Sequence, residues 1–299
     1  MMDSPHKISL TLKSVLKEAA DTLSSNGIER ARLEVELLLA HVLELRKEEL
    51  IIHPDRELTG PQEEKFQQLV ERRCCKEPFA YIVGHREFWS LEFKVNSKVL
   101  IPRPETEGVL EHLLSLAGDE ANEKTMRILD VGTGSGILAI VAALEFPKAR
   151  VTAMDNSDDA LEAARDNALR HQVADRMDFL KMDLMHDWHL PDSSRYDFIL
   201  SNPPYIPSKE LESLMPDVRD YEPRAALDGG PDGLACYRCI IANAFPYLKP
   251  GGYLILEVGD EQAGTLKQSL QAHGGWDAIE VIQDLSGRDR VVSTRRVLG

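Results

Sequence analysis

The tetrapeptide Asn202-Pro203-Pro204-Tyr205 closes the apolar run Tyr196–Ser201 and combines a carboxamide, two prolines and an aromatic ring. A proline has no backbone N–H and fixes its own φ, so the turn displays carbonyl acceptors and resists collapse. The side-chain oxygen of Asn202 adds one more acceptor. Such a cup suits a planar NH2 group, whose two hydrogens it can hold while Tyr205 covers the face. A glutamine amide and the exocyclic amine of a base are the natural guests. Read alone, Asn-Pro is also an ordinary way to end a strand.

A second constellation lies upstream. Ile128-Leu-Asp-Val-Gly-Thr-Gly-Ser-Gly136 leaves an apolar run and opens a helical pattern. Its glycines allow close backbone approach to a ligand, and the helix start offers free N–H groups. By itself the loop is ambiguous, because Gly134-Ser-Gly136-Ile-Leu-Ala139 also fits a dinucleotide pattern. Asp155 ends the next apolar run, 19 residues after Gly136, where a carboxylate can accept hydrogen bonds from a ribose diol. Its competing role is to cap the helix that follows, which Asn156 or Ser157 could do instead. Met182-Asp183-Leu184 follows a third run and is placed to flank an adenine, although an aspartate there is often only a turn residue. Transfer of a hydride needs no amide clamp beside such a loop. Transfer of a methyl group to an NH2 nitrogen does.

These motifs need strand ends to sit on. From about residue 105 the pattern alternates, with strands expected at 126–131, 150–154, 177–182, 196–201 and 252–258. Helices are expected at 105–117, 136–146, 157–171, 232–248 and 260–273. That alternation implies an α/β fold, a doubly wound parallel sheet, with ligands outside the carboxyl ends of its strands. Apolar runs at 277–284 and 289–297, joined by Ser286-Gly287, predict an antiparallel closing hairpin. Ahead of all this, the spacing predicts helices over Leu10–Leu23, Ile28–Leu45 and Thr59–Arg73, an all-α module. Trp89 to Ile101 alternates as a strand and breaks at Asn96-Ser97, which predicts a β-hairpin there. Pro102-Arg-Pro-Glu-Thr-Glu107 then reads as a stiff linker and helix start. Three regions result: a helical module over 1–86, hairpin and linker over 87–104, and the α/β domain over 105–299.

Composition narrows the partners. The net charge is −15, and residues 1–86 carry 13 basic and 15 acidic side chains against 22 and 35 in the remainder. A nucleic-acid binder needs a basic stripe to displace counterions, so direct nucleic-acid binding is not expected. No apolar run approaches the roughly 18 residues a span requires, and Met1–Ile8 lacks a signal-peptide layout. A cytoplasmic protein acting as a monomer, without membrane contact, is the expectation. Cys236-Tyr-Arg-Cys239 has no second pair to complete a zinc site, and it reads as half-buried thiols on a helix. His85, His171, His186, His189 and His273 have no ligand spacing and read as surface or capping residues. No metal site is expected.

The chain resembles the HemK/PrmC family, S-adenosylmethionine-dependent enzymes that methylate glutamine in peptide chain release factors. Beyond the motifs above, the resemblance rests on Glu77-Pro-Phe-Ala-Tyr-Ile-Val-Gly84, Leu100-Ile-Pro-Arg-Pro-Glu-Thr-Glu107 and Tyr221-Glu-Pro223. It continues through Asp228-Gly-Gly-Pro-Asp-Gly-Leu234, Leu256-Glu-Val-Gly259 and Asp284-Leu-Ser-Gly-Arg-Asp-Arg290. It implies a Rossmann-like class I methyltransferase sheet behind a small helical domain that helps hold the release factor. The implied contacts to S-adenosylmethionine are Gly132, Thr133, Gly134, Ser135, Gly136, Asp155 and Leu184, with Asn202 facing both cofactor and substrate. Catalysis and substrate binding fall to Asn202, Pro203, Pro204 and Tyr205. The implied substrate is the glutamine of a Gly-Gly-Gln loop, methylated on its side-chain nitrogen without a general base. Arg103, Glu105 and Glu107 fit either a contact near the cofactor or a salt-bridge cluster. A glutamine methyltransferase of a ribosomal protein, an adenine-N6 nucleic-acid methyltransferase and a non-catalytic release-factor binder are the alternatives.

Overall fold

The structure is a computed structural model that describes residues 11–118, 125–186, 188–191 and 195–298. Leu10 and the opening segment Met1–Ile8 lie outside them. By its internal contacts the chain divides into two compact units, Met1–Gly84 and His85–Gly299.

The first unit is helical: α1 (Leu12–Ser25), α2 (Ala31–Leu43), α3 (Lys47–Ile52), α4 (Gly60–Cys74) and α5 (Phe79–Val83). The sequence pattern did not announce the short α3 and α5, which are too brief to display a helical period. Helix α1 starts where Thr11 Oγ1 accepts the Ser14 N–H at 3.3 Å, and its Leu12, Val15, Leu16, Ala19 and Leu23 all face inward. That i, i+3, i+4 stripe is what an amphipathic helix buries. At α4, Thr59 and Gln62 form a reciprocal capping box with proline in the first turn, satisfying N–H groups that would otherwise lack partners.

In the second unit, β1 (His85–Phe88) and β2 (Leu91–Lys94) form a hairpin. Its turn is Trp89-Ser90, not Asn96-Ser97. Both turn residues have positive φ, 54° and 56°, the left-handed pair that a two-residue hairpin requires. Neither is glycine, so the turn carries no composition signal. Neighbours hold it instead: Trp89 N–H donates to Glu107 at 2.8 Å and Trp89 Nε1 to Glu145 at 2.7 Å. Asn96 does make a turn, accepting from Lys98 N–H at 2.9 Å, but that turn leads into the loop at residues 98–101.

The large sheet follows, flanked by helices: α6 (Glu107–Ala117), β3 (Arg127–Val131), α7 (Ile137–Glu145), β4 (Arg150–Asp155), α8 (Asp158–Arg170), β5 (Met177–Lys181) and β6 (Tyr196–Ser201). Then come α9 (Pro216–Arg219), α10 (Ala235–Tyr247), β7 (Leu248–Glu257), α11 (Ala263–His273), β8 (Trp276–Gln283) and β9 (Asp289–Arg296). The strand order is β5-β4-β3-β6-β7-β9-β8. All pairs are parallel except those of β9. The mostly parallel sheet with an antiparallel closing hairpin is the expected fold. Strands β3 and β6 run buried along nearly their whole length, as strands covered on both faces must. The order reverses at β3, and the carboxyl ends of β3, β4, β6 and β7 converge beside that switch point, where open α/β sheets bind ligands.

Candidate active site

One side of the cleft above these strand ends is made of backbone. After β3 the chain turns through Gly132 and Gly134, with φ of 74° and 54°, a region that costs a side-chain-bearing residue roughly 1–2 kcal/mol. Both glycines line the cleft, and nothing lies within 4 Å of where a Cβ would point. Gly136 serves differently. A Cβ there would sit 3.0 Å from Ile140 Cδ1 and 3.1 Å from Ala164 Cβ, so it lets α7 close on α8. Thr133 and Ser135 are buried. The Thr133 hydroxyl donates to Asp130 Oδ2 at 2.7 Å, and the Ser135 carbonyl accepts from Asn167 at 2.9 Å. These three residues shape the loop from behind and do not line the cleft.

Asp155 is held before any ligand arrives. Its Oδ2 accepts from Gly134 N–H and its Oδ1 from Ser157 N–H, each at 3.0 Å. Burial raises its pKa, against the pull of those N–H groups. Helix α8 is capped by Ser157, whose hydroxyl accepts from Ala160 N–H at 3.2 Å, so Asp155 is not needed as a cap. Met182, Leu184 and Ala160 give the cleft an apolar wall. Asp183 instead closes a turn, accepting from Met185 N–H at 2.9 Å.

The other side of the cleft rests on a buried polar network. Asn202 and Pro204 line the cleft, whereas Pro203 is buried. Asn202 Nδ2 donates to Thr106 Oγ1 at 3.0 Å, so the oxygen is the end of the amide left to the cavity. Thr106 is fully buried, in the 3-10 turn Pro104–Thr106. Tyr205 directs its hydroxyl at Glu257 Oε1, at 3.4 Å, and is not among the residues lining the cleft. Burial pushes that hydroxyl's pKa well up, reinforced by the Glu257 charge. Glycines crowd the Tyr205 backbone. A Cβ on Gly229 would fall 2.7 Å from Tyr205 Cα, and one on Gly233 would strike its carbonyl oxygen. Gln262 Nε2 donates to that same oxygen at 2.8 Å.

Two loops form the rim, one at Lys98–Leu100 and one at Pro223–Ala226. Glu222 ties them together: its Oε1 accepts from Arg103 at 2.5 Å and its Oε2 from Ile101 N–H at 3.2 Å. Arg103 is therefore a salt-bridge residue, and Glu107 supports the β1–β2 turn. Thr106, Glu222 and Glu257 went unrecognised in the sequence. Each lies in a segment that carries the family resemblance, but nothing local shows that Thr106 meets Asn202 across 96 residues. Among the histidines, His171 caps α8 and His186 lies 3.7 Å from Asp183.

The donor set fits S-adenosylmethionine. Asp130 Oδ1 is buried without a partner among the described residues, and burial raises the Asp130 carboxyl to about 7. Asp155 is the acidic side chain that lines this side of the cleft. Lys98 is the one basic side chain among the described lining residues, and Asp159 pairs with it. A cationic nucleoside carrying a ribose diol suits such a cleft better than a pyrophosphate does.

The PrmC N-terminal domain model matches residues 14–84, and the methyltransferase small domain model matches residues 110–215. The release factor glutamine methyltransferase of Moorella thermoacetica is 41% identical over 94% of this chain and 97% of its own. That of Geobacter sulfurreducens is 42% identical over 95% and 96%. A methyltransferase from Pyrococcus furiosus shares the fold, with a TM-score of 0.50 at 17% identity over 80% of this chain and 100% of that one. With two curated relatives above 40% identity over nearly their whole length, the chain belongs to the release factor glutamine methyltransferase family.

Proposed function

We propose that this enzyme methylates the side-chain nitrogen (N5) of the glutamine in the Gly-Gly-Gln loop of a peptide chain release factor, with S-adenosylmethionine as donor. The observation that carries the reading is Asn202: a carboxamide at the cleft wall with its nitrogen committed to Thr106 and its oxygen without a hydrogen bond among the described residues. Gly132, Gly134, Asp155, Met182 and Leu184 would hold the donor, which supplies an electrophilic methyl carbon on a sulfonium.

An amide nitrogen is a poor nucleophile because its lone pair is delocalised into the carbonyl. Asn202 Oδ1 and the Pro203 carbonyl accept its two hydrogens, which orients the nitrogen toward the methyl group. Fixing that approach can lower the barrier by several kcal/mol, up to about 7–11 in favourable cases. The same oxygens stabilise positive charge growing on the nitrogen, the counterpart of an oxyanion hole. The new N–C bond forms as the S–C bond breaks, and the nitrogen then releases a proton to water. Tyr205, anchored through its hydroxyl and its carbonyl, keeps the Pro203-Pro204 turn in place.

Incubation with labelled donor and purified release factor, followed by mass mapping, tests the proposal. Label on the glutamine of Gly-Gly-Gln, absent when that residue is changed to alanine, is the expected outcome. Label on a ribosomal protein alone, or on nucleic acid, would end it.

A further inference from the structure

The acceptor turn has a difficulty built into its composition. Pro203 and Pro204 carry no N–H groups, so the middle of the turn cannot donate a hydrogen bond to anything that would brace it. Its Pro203 carbonyl is reserved for the substrate. A brace must therefore take hold at the ends. Upstream, the Ser201 hydroxyl donates to the Val131 carbonyl at 2.6 Å. Downstream, the hold falls on the Tyr205 carbonyl, which needs a donor from elsewhere in the fold.

That donor is Gln262, the half-buried residue just before α11. Its Nε2 donates to the Tyr205 carbonyl at 2.8 Å and to the Gly233 carbonyl at 3.4 Å. Its Oε1 accepts from Gly259 N–H at 3.1 Å and lies 3.3 Å from the Tyr237 hydroxyl. A backbone N–H only donates and a carbonyl only accepts, so reversing this amide would break its bonds to Gly259 and Tyr205 together. Its own backbone carbonyl accepts from Leu266 N–H at 3.0 Å, which ties it to α11. We propose that Gln262 is a positioning residue: by holding the Tyr205 carbonyl it fixes the direction of the Pro203 carbonyl that accepts the substrate N–H. This rests on the glutamine-methylation reading. The prolines already fix two φ angles of the turn, so pinning Ser201 and Tyr205 leaves the Pro203 carbonyl little room to swing.

Two further features are arranged around this hold. Glycines clear the space for it. A Cβ on Gly259 would fall 2.8 Å from Gln262 Oε1 and 3.0 Å from Tyr205 Cδ2, and one on Gly233 would fall 2.7 Å from Gln262 Nε2. Those glycines belong to Leu256–Gly259 and Asp228–Leu234, segments that carry the family resemblance yet are not among the residues lining the cleft. The neighbouring Glu261 has φ of 65°, a left-handed conformation that side-chain-bearing residues seldom adopt. Such outliers persist where the surrounding structure over-determines them, and here the outlier leads straight into the bonded amide.

Two variants and one measurement on the parent test this role. Gln262→Met keeps the length of the side chain and removes its hydrogen bonds. Turnover at saturating donor and substrate should fall about 10–100-fold, the scale of a misplaced reactant, with S-adenosylhomocysteine affinity retained. Gln262→Glu sets an ionised oxygen, which only accepts, against two carbonyls. It should be slower than Gln262→Met at alkaline pH and regain rate relative to the parent as pH falls, when the protonated acid can donate to Tyr205. A role confined to stability predicts neither the split between turnover and affinity nor the acid rescue. Without any variant, the Gln262 side-chain NH2 of the parent, followed by NMR, should exchange with solvent more slowly than that of exposed glutamines. Parent-like turnover in both variants, a loss of donor affinity matching the loss of turnover, or solvent-rate exchange of that NH2 would overturn the role. Failure of the parent to label any release factor would sink the functional reading instead. The exchange measurement, made without substrate, still judges whether Gln262 holds Tyr205.

Discussion

The two walls of the cleft are built by different physics. On the ribose side, backbone does the shaping: glycines at positive φ, a helix start, and a carboxylate already gripped by two N–H groups. On the acceptor side, side chains from three separated segments meet around Asn202 and Tyr205, and a Glu257 carboxyl oxygen has no partner among the described residues. The first wall is pre-set by local sequence. The second exists only once the sheet has assembled.

This difference predicts separable failures, affinity on one wall and turnover on the other. The largest effect is expected from Asn202→Ala, which removes the free acceptor. Turnover at saturating donor and substrate should fall about 10²–10³-fold, as loss of one preorganised polar group does, while calorimetry finds S-adenosylhomocysteine binding intact. Equal losses in both would erase the distinction between the walls.

Asp155→Ala should do the reverse. Donor affinity should weaken by roughly one to two orders of magnitude, equivalent to about 1.4–2.8 kcal/mol, with turnover at saturation near that of the parent. Titration of product nucleoside and initial rates at high donor concentration separate the two.

Glu257→Gln sharpens the contrast through stability. The folded carboxyl titrates at about 7, above its ordinary 4.5, so it favours the fold when protonated. That contribution is complete below about 4.5 and is lost as pH rises through 7. Relative to the parent, Glu257→Gln should gain stability over that window, by at most about 3 kcal/mol. Denaturant melts at pH values on either side of it measure the gain. A variant both sturdier and slower would mark the acceptor wall as strained for function.

Gly233→Ala should also act on the acceptor wall. Its φ of 75° and its contact with the Tyr205 carbonyl leave no room for a methyl group, and a cost of about 1–3 kcal/mol is expected, read as a lower melting temperature. Leu184→Val should be the mildest, a few-fold loss of donor affinity, since about 0.8 kcal/mol accompanies the one buried methylene lost.

Legibility in the sequence follows the same division. Gly132, Gly134 and Asp155 could be found because spacing along one strand–loop–helix unit fixes their geometry. Asn202 could be found because prolines mark its turn. Thr133, Ser135 and Gly136 sit in the same loop yet serve its packing, a distinction that depends on Asn167 and Ala164 from α8. Thr106 and Glu257 carried no signal, because each becomes meaningful only through partners far along the chain. The hairpin was misplaced for a related reason: Trp89-Ser90 adopts left-handed backbone under the hold of Glu107 and Glu145, not by its own preference.

The Arg103–Glu222 pair has a consequence for exchange. It fastens one lip of the cleft to the other, so the two rim loops are held at one spacing, and parting them would uncover a nearly buried carboxylate. Arg103→Ala should therefore loosen the mouth of the cleft without touching either of its walls, and bound nucleoside should dissociate faster.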